Sequence, residues 1–277
     1  MKRYRFTNFV IDSNRSLLKQ PKGVSEELRQ QILAELRIRY GDTNFKDKLE
    51  RYLELETENI KIFTEYHEIL YEAQDSYICG YYYPSLTASC CLGERIFNIL
   101  ILKLRDYYKH SQIYKKIYSK NLIQDWELAI NVLKDWNLIG DELANDYFKL
   151  HEVRIENVHL KGFRDFRSEA RFALQQIMKI TDALFSLRKD IFFWVPGEPY
   201  IRKDKEEEPI VKEFFIPNCK LLGYKHPAPR LETLPEGIVF IFDDPYDYEH
   251  REITDEEFKR LREEWRKSQH SKAQSDK

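Results

Sequence analysis

Arginine and histidine are the side chains best suited to handling a phosphate group at neutral pH without a metal. Arginine keeps its charge and offers a planar fork of donors that matches phosphate oxygens, while histidine titrates close to neutrality and can take or give a proton. The stretch Leu150-His-Glu-Val-Arg154-Ile-Glu-Asn157-Val-His159-Leu-Lys-Gly162 holds both, with Arg154 five positions before His159. Asn157, three positions after Arg154, shares its face on a helix and adds a neutral hydrogen-bonding group. Spacing alone carries little weight. Among 7 histidines such an arginine arises about once by chance, and Arg105-Asp-Tyr-Tyr-Lys-His110 repeats it. On one regular helix, moreover, positions five apart are rotated by about 140°.

The elements that must position these residues are mostly helical. Tyr4 to Asp12 alternates apolar and polar residues as a strand does, and Ser25 N-caps an amphipathic helix with Leu28, Ile32, Leu36 and Tyr40 on one face and Gly41 as its stop. From Phe45 to Cys79 apolar residues recur at helical spacing, as one helix or as two joined near Asn59. Gly80 breaks this run, and Pro84 opens a second long helix to about Tyr108. Helices are predicted over Gln124 to Trp136, Asp141 to Val158 and Asp165 to about Lys189, and helices joined by short connections form a bundle. Beyond it most of the 10 prolines fall between Pro196 and Pro235. There Val211 to Ile216 and Ile238 to Phe242 read as small strands, and Thr254 with Glu257 opens a charged helix through Trp265, before a frayed tail. The predicted fold is mostly α, with an N-terminal extension over residues 1–58, a helical bundle over 59–192 and a small Pro-rich α+β region over 193–277.

This neighbourhood resembles the HEPN domain family. Its R-x4-6-H motif stands near the end of the third helix of a four-helix bundle, just before the last long helix, where Arg154 to His159 falls. Two further phrases are similar: a first helix ending in a Gly-Tyr turn, Ala73-Gln-Asp-Ser-Tyr-Ile-Cys-Gly80-Tyr-Tyr-Tyr-Pro84, and an acidic residue in the second helix, Gly93-Glu94-Arg95. The likeness covers about residues 60 to 190, and Arg105 to His110, at the end of the second helix, is out of place for it. The residue after the arginine is commonly polar in the family and is Ile155 here. Asn157 is therefore expected to take over the polar role, with Ile155 turned into the bundle. The resemblance implies a metal-independent endoribonuclease in the toxin or antiphage-defence setting, working as a homodimer with a composite site. A twofold pair of motif helices brings together arginines and histidines that one helix keeps apart. Arg154 would hold the phosphate, His159 would transfer protons or position the 2′-hydroxyl, and Asn157 would orient the phosphate or the histidine. Lys161, Arg164, Arg167 and Arg171 either guide an RNA backbone or form the solvated start of the next helix. An antitoxin or a nucleotidyltransferase is the partner the resemblance suggests. The alternative is a non-catalytic module of the same kind that dimerises or binds a partner or nucleotide.

Other features narrow the function classes. The 45 basic and 47 acidic residues leave a net charge of -2, so nucleic-acid binding must come from a local patch. Lys2, Arg3 and Arg5 with Tyr4 and Phe6 mix charge with stacking surface, or form a docked terminal strand. Cys79, Cys90, Cys91 and Cys219 have neither zinc-ligand nor disulfide-framework spacing, and Cys90-Cys91 reads as packing rather than nucleophile. The carboxylates Asp243, Asp244, Asp247 and Glu249 are read as a solvated turn, so no metal and no cofactor is assigned. No phosphate-cradling Gly-rich loop occurs. Without a signal peptide or a long unbroken apolar run, the expected location is the cytoplasm, with no membrane partner.

Overall fold

The computed structural model describes residues 3–6, 12–20, 24–57, 59–62, 66–158, 165–195, 198–222, 230–233, 239–242 and 254–275. The chain forms two compact units, one of residues Phe9–Ser186 and one of Met1–Asn8 with Leu187–Lys277. It is mostly helical.

In the larger unit the helices are α1 (Ser13–Lys19), α2 (Glu26–Tyr40), α3 (Phe45–Glu54), α4 (His67–Cys79), α5 (Tyr82–Leu104), α6 (Trp126–Asp135), α7 (Asp141–Val158) and α8 (Phe166–Phe185). Their starts follow from side chains that satisfy otherwise orphaned backbone N–H groups. Ser25 Oγ accepts from Leu28 N at 3.2 Å, Asp125 Oδ1 from Leu128 N at 2.9 Å, and Asp165 Oδ1 from Arg167 N at 3.1 Å. Gly80, at φ 90°, makes the sharp turn from α4 to α5 in a left-handed conformation that only glycine adopts without strain. The run from Phe45 to Cys79 thus splits into α3 and α4.

The bundle is built around α5, against which α4, α6, α7 and α8 all pack. Leu86, Leu92, Ile96, Phe97, Leu100, Ile101 and Leu104 of α5 are each fully buried. By length and composition Tyr82–Tyr108 is apolar enough to cross a membrane. Its polar positions are nevertheless used inside the bundle: Ser85 Oγ donates to Ala73 O of α4 at 2.7 Å, and Asn98 holds the chain ahead of α6. A helix surrounded by partners in this way is apolar because it is a core.

Residues 9–58, predicted as part of a separate extension, instead belong to the same compact unit as the bundle. Arg15 of α1 is 1% exposed. Its guanidinium donates to Gln74 Oε1 of α4 at 2.9 Å and to Glu56 O at 3.2 Å, and pairs with Asp12 at 3.1 Å. Tyr52 of α3 donates to Asp12 at 2.7 Å, and Arg39 and Tyr40 of α2 both bind Asp75 of α4, at 2.9 and 2.8 Å. A buried charge survives only when paired and hydrogen-bonded, and these partners lie on other helices. On the other side, Lys61 is fully buried and pairs with Asp182 of α8 at 3.7 Å, fixing the segment before α4.

The smaller unit contains β1 (Arg3–Phe6), β2 (Phe192–Val195), β3 (Glu198–Ile201), β4 (Cys219–Leu222), β5 (Arg230–Thr233), β6 (Val239–Phe242) and α9 (Asp255–Ser275). β1 pairs antiparallel with β4, β2 with β3, and β5 with β6. The predicted N-terminal strand ends at Phe6, residues 7–11 lying outside the described ones. Val211 to Ile216, predicted as a strand, is a π-helical turn over Val211–Phe215 followed by a tight turn over Ile216–Asn218. Its buried residues, Val211, Phe214 and Phe215, fall at a helical rather than an alternating interval. Thr254 caps α9 as predicted, accepting from Glu257 N at 3.2 Å. That helix runs past Trp265 to Ser275, where a frayed tail was predicted, because no Gly or Pro stops it and Arg260 pairs with Glu264 one turn on, at 3.0 Å.

Asn98 holds both backbone groups of Ile123 in the chain ahead of α6. Asn98 Nδ2 donates to Ile123 O at 2.9 Å and Asn98 Oδ1 accepts from Ile123 N at 2.7 Å, both bonds buried. Asn98→Ala orphans both backbone groups of Ile123 and is expected to lower unfolding stability by about 2–4 kcal/mol, measured by urea denaturation; a loss below about 0.5 kcal/mol contradicts this.

Candidate functional site

The site begins with an aromatic floor. With Ile123 held by Asn98 and α6 capped by Asp125, Trp126 starts α6 in a fixed place and is 1% exposed. It packs edge-on against Phe97 of α5, ring centroids 5.0 Å apart, and against Tyr147 of α7 at 6.4 Å. Gly93 of α5 lets the neighbours approach. A Cβ there would lie 2.7 Å from Leu150 Cδ2 of α7 and 3.3 Å from Trp126 Cη2, so with any larger residue the Leu150 side chain would have to move and the Trp126 ring to give by a few tenths of an ångström.

That approach brings the next residue, Glu94, to α7. Its Oε2 lies 3.2 Å from Arg154 Nη2, with the two side chains 24% and 33% exposed. Arg154 therefore sits at the rim of the bundle, oriented by a carboxylate but open to solvent. Its Cζ is 5.9 Å from the Trp126 ring centroid. One turn earlier on α7, the His151 imidazole stacks on the same indole, centroids 5.0 Å apart and planes 10° apart. Burial, then the Arg154 charge, holds the pKa of His151 below its ordinary 6.5 against the opposing pull of Asp125, Glu152 and Glu94.

Two residues are placed the other way round from the sequence expectation. Asn157 is 1% exposed, with Nδ2 donating back to Val153 O at 2.9 Å, and its buried Oδ1 has no hydrogen-bond partner among the described residues. Ile155, expected inside the bundle, is 38% exposed. The cause is the packing stripe of α7: the buried residues Ala144, Tyr147 and Leu150 continue at helical intervals to Asn157, while Ile155 is turned about 100° from Arg154. Asn157 thus lies inward of Arg154 and is a packing residue in this arrangement. His159, Lys161 and Arg164 lie outside the described residues.

The remaining candidates are engaged elsewhere. Arg167, at the start of α8, is 2.7 Å from Glu54 of α3, and Tyr77 donates to the same carboxylate at 2.6 Å. Burial raises the Glu54 pKa, but these hydrogen bonds outweigh it and the net shift is downward. Arg171 is exposed one turn further on. The Cys90 thiol is buried and its pKa is pushed up to about 12 by that burial, which leaves it protonated and unreactive. Arg105 donates to Lys120 O at 2.6 Å, while the His110 ring lies 6.3 Å from Tyr108. No cluster with metal-ligand character occurs among the described residues.

The residue that sequence reasoning passed over is His151. The available signal was its position three residues before Arg154, hence on the same helix face. No family model, curated protein or solved structure matches the chain. The Glu94, Trp126, His151 and Arg154 cluster is therefore the ground on which function is inferred.

The His151 environment sets a pH dependence of stability. Because its folded pKa is lowered, the unfolded chain binds this proton more readily, so its contribution is present above about pH 6.5 and is lost as pH falls toward the folded value. Urea midpoints between pH 5 and 7.5 are expected to fall less steeply toward acid for His151→Phe, which retains a ring to stack on Trp126, than for the unaltered chain. Parallel curves refute the assignment.

Proposed function

We propose that this chain is a metal-independent endoribonuclease of HEPN type, cutting RNA by attack of the 2′-hydroxyl at a composite site in a cytoplasmic homodimer. The observation that carries it is the Glu94–Arg154 pair at 3.2 Å, which holds a permanently charged, partly exposed guanidinium fork at the rim of the bundle helix preceding His159. The helical bundle and the Gly93-Glu94 phrase packed on the motif helix agree with it. In this reaction Arg154 binds the scissile phosphate and offsets the charge of the phosphorane, and His159 transfers protons. Exposed Ile155, beside Arg154 on α7, supplies apolar surface for the twofold contact. Arg171 and the basic residues ahead of α8 contribute phosphate contacts. A role as a toxin or antiphage effector, held by an antitoxin or working with a nucleotidyltransferase, fits such an activity.

A second reading has its own support. Arg154 is already paired with Glu94, and Asn157 is withdrawn into the bundle, which suits a module of this type that dimerises or binds a partner without cutting RNA.

Cleavage of a single-stranded RNA by the purified protein in EDTA, yielding 2′,3′-cyclic phosphate ends, decides between them. Arg154→Ala and His159→Ala are each expected to slow it about 100-fold or more without loss of folding or dimerisation, while His110→Ala leaves the rate unchanged. Undiminished cleavage by His159→Ala rejects the assignment.

A further inference from the structure

Cleavage by an internal hydroxyl requires two proton movements, one off O2′ and one onto the departing O5′. His159 supplies one proton-transfer group. On a regular helix a spacing of five positions, as between Arg154 and His159 in the sequence, is about 140°, whereas His151 stands only about 60° from Arg154 on α7. His151 and Arg154 share one floor: the imidazole is stacked 5.0 Å from the centroid of the Trp126 ring, and Arg154 Cζ is 5.9 Å from the same ring. Trp126 is immobilised by Phe97, Tyr147 and the absence of a side chain at Gly93. His151 itself is only partly buried, so its ring is fixed in orientation yet open on one side.

We infer that His151 is the general base of this site, taking the proton from the 2′-hydroxyl of the ribonucleotide whose 3′-phosphate is held by Arg154. This inference rests on the ribonuclease reading above. As the O2′–P bond forms, the O2′ proton passes to the neutral His151 imidazole. The P–O5′ bond breaks, and O5′ takes a proton from the His159 imidazolium. The products are a 2′,3′-cyclic phosphate and a 5′-hydroxyl; His151 has gained one proton and His159 has lost one, and exchange with water restores both.

The surroundings suit a base. The charged groups acting on His151 are Glu94 of α5, Asp125 at the cap of α6, and Glu152 and Arg154 of α7. Burial and Arg154 prevail over the three carboxylates, so the imidazole is neutral at pH 7.

The test compares the unaltered full-length protein with His151→Phe and His159→Ala on a single-stranded RNA in EDTA, across pH 5 to 9. A second RNA carries sulfur in place of the bridging O5′, a leaving group that needs no protonation. His151→Phe is expected to fold, to cleave normal RNA about 100-fold or more slowly, to lose the acid limb of the kcat/KM profile, and to remain slow on the sulfur-bridged RNA. His159→Ala is expected to be restored on that substrate. His151→Gln, close in size and polar, gives the same comparison where phenylalanine disturbs packing. Cleavage by His151→Phe within threefold of the unaltered protein, retention of the acid limb, or its rescue by the sulfur-bridged RNA each overturns the role of His151 alone. Failure of the unaltered protein to release any cyclic phosphate overturns the ribonuclease reading, and the His151 role with it.

Discussion

The missing side chain at Gly93 governs the site. A Cβ here would lie 2.7 Å from Leu150 Cδ2 and 3.3 Å from Trp126 Cη2, so the Leu150 side chain would have to move and the Trp126 ring to give by a few tenths of an ångström. Both lie in the packing beneath the Glu94–Arg154 pair and the edge contact of Trp126 with Phe97. Close packing here has a cost. Among the described residues Trp126 Nε1, Tyr147 Oη and Asn157 Oδ1 are buried without hydrogen-bond partners, and each such group costs about 1–3 kcal/mol. Burial also raises the Tyr147 pKa, keeping its phenol neutral beneath the aromatic cluster.

Charge joins helices both inside and outside this cluster. Arg15, Lys61, Arg167 and Lys179 each join helices through carboxylates: Asp12, Asp182, Glu54, and the pair Glu142 and Asp146. Arg15 and Lys61 are buried, and releasing either would strand a charge inside the bundle. Arg154 likewise joins α7 to α5 through Glu94, with its side chain a third exposed, less than those of Arg167 and Lys179. An exposed pair of this kind contributes about 1 kcal/mol or less, which a phosphate can replace at small cost. With a net charge of -2, the phosphate recognition proposed above would rest on a few residues such as Arg154 rather than on an overall field.

Local signals were legible and long-range ones were not. Ser25, Asp165, Thr254 and Gly80 announce helix ends because caps and turns act within a few residues, and the bounds of α7 follow from the same kind of pattern. The attachment of α1 through Arg15 to Gln74 spans 59 positions, and no periodicity encodes it. The face of α7 was misjudged because a polar asparagine sits in a packing stripe and an isoleucine outside it. Only the neighbours contributed by α5 and α6 decide which sector of that helix is inward. His151 was hidden for a related reason: a motif read forward from an arginine does not weigh the histidine behind it, and the tryptophan that gives this histidine its setting lies on another helix.

The angular order around α7 turns these corrections into one constraint. Taking Arg154 as zero, the 100° step per residue puts Asn157 at about -60°, His151 at about +60° and Ile155 at about +100°. Asn157 is buried, Arg154 is at the rim, His151 is half-open and Ile155 is exposed. Of these four Ile155 is thus the most exposed and Asn157 the least, whereas on earlier turns Tyr147 and Ala144, at about +20° and +80°, are buried. A molecule or a second copy that covers Ile155 meets His151 before Arg154, and the three residues form one continuous sector. A five-residue spacing such as that of Arg154 and His159 spans about 140° on a regular helix, and on the ribonuclease reading that arc calls for a second copy to bring a guanidinium and an imidazole together. With His151 as the proposed base this requirement would fall on the second proton transfer alone, so a dimer at this face would complete a half-site that each chain already carries.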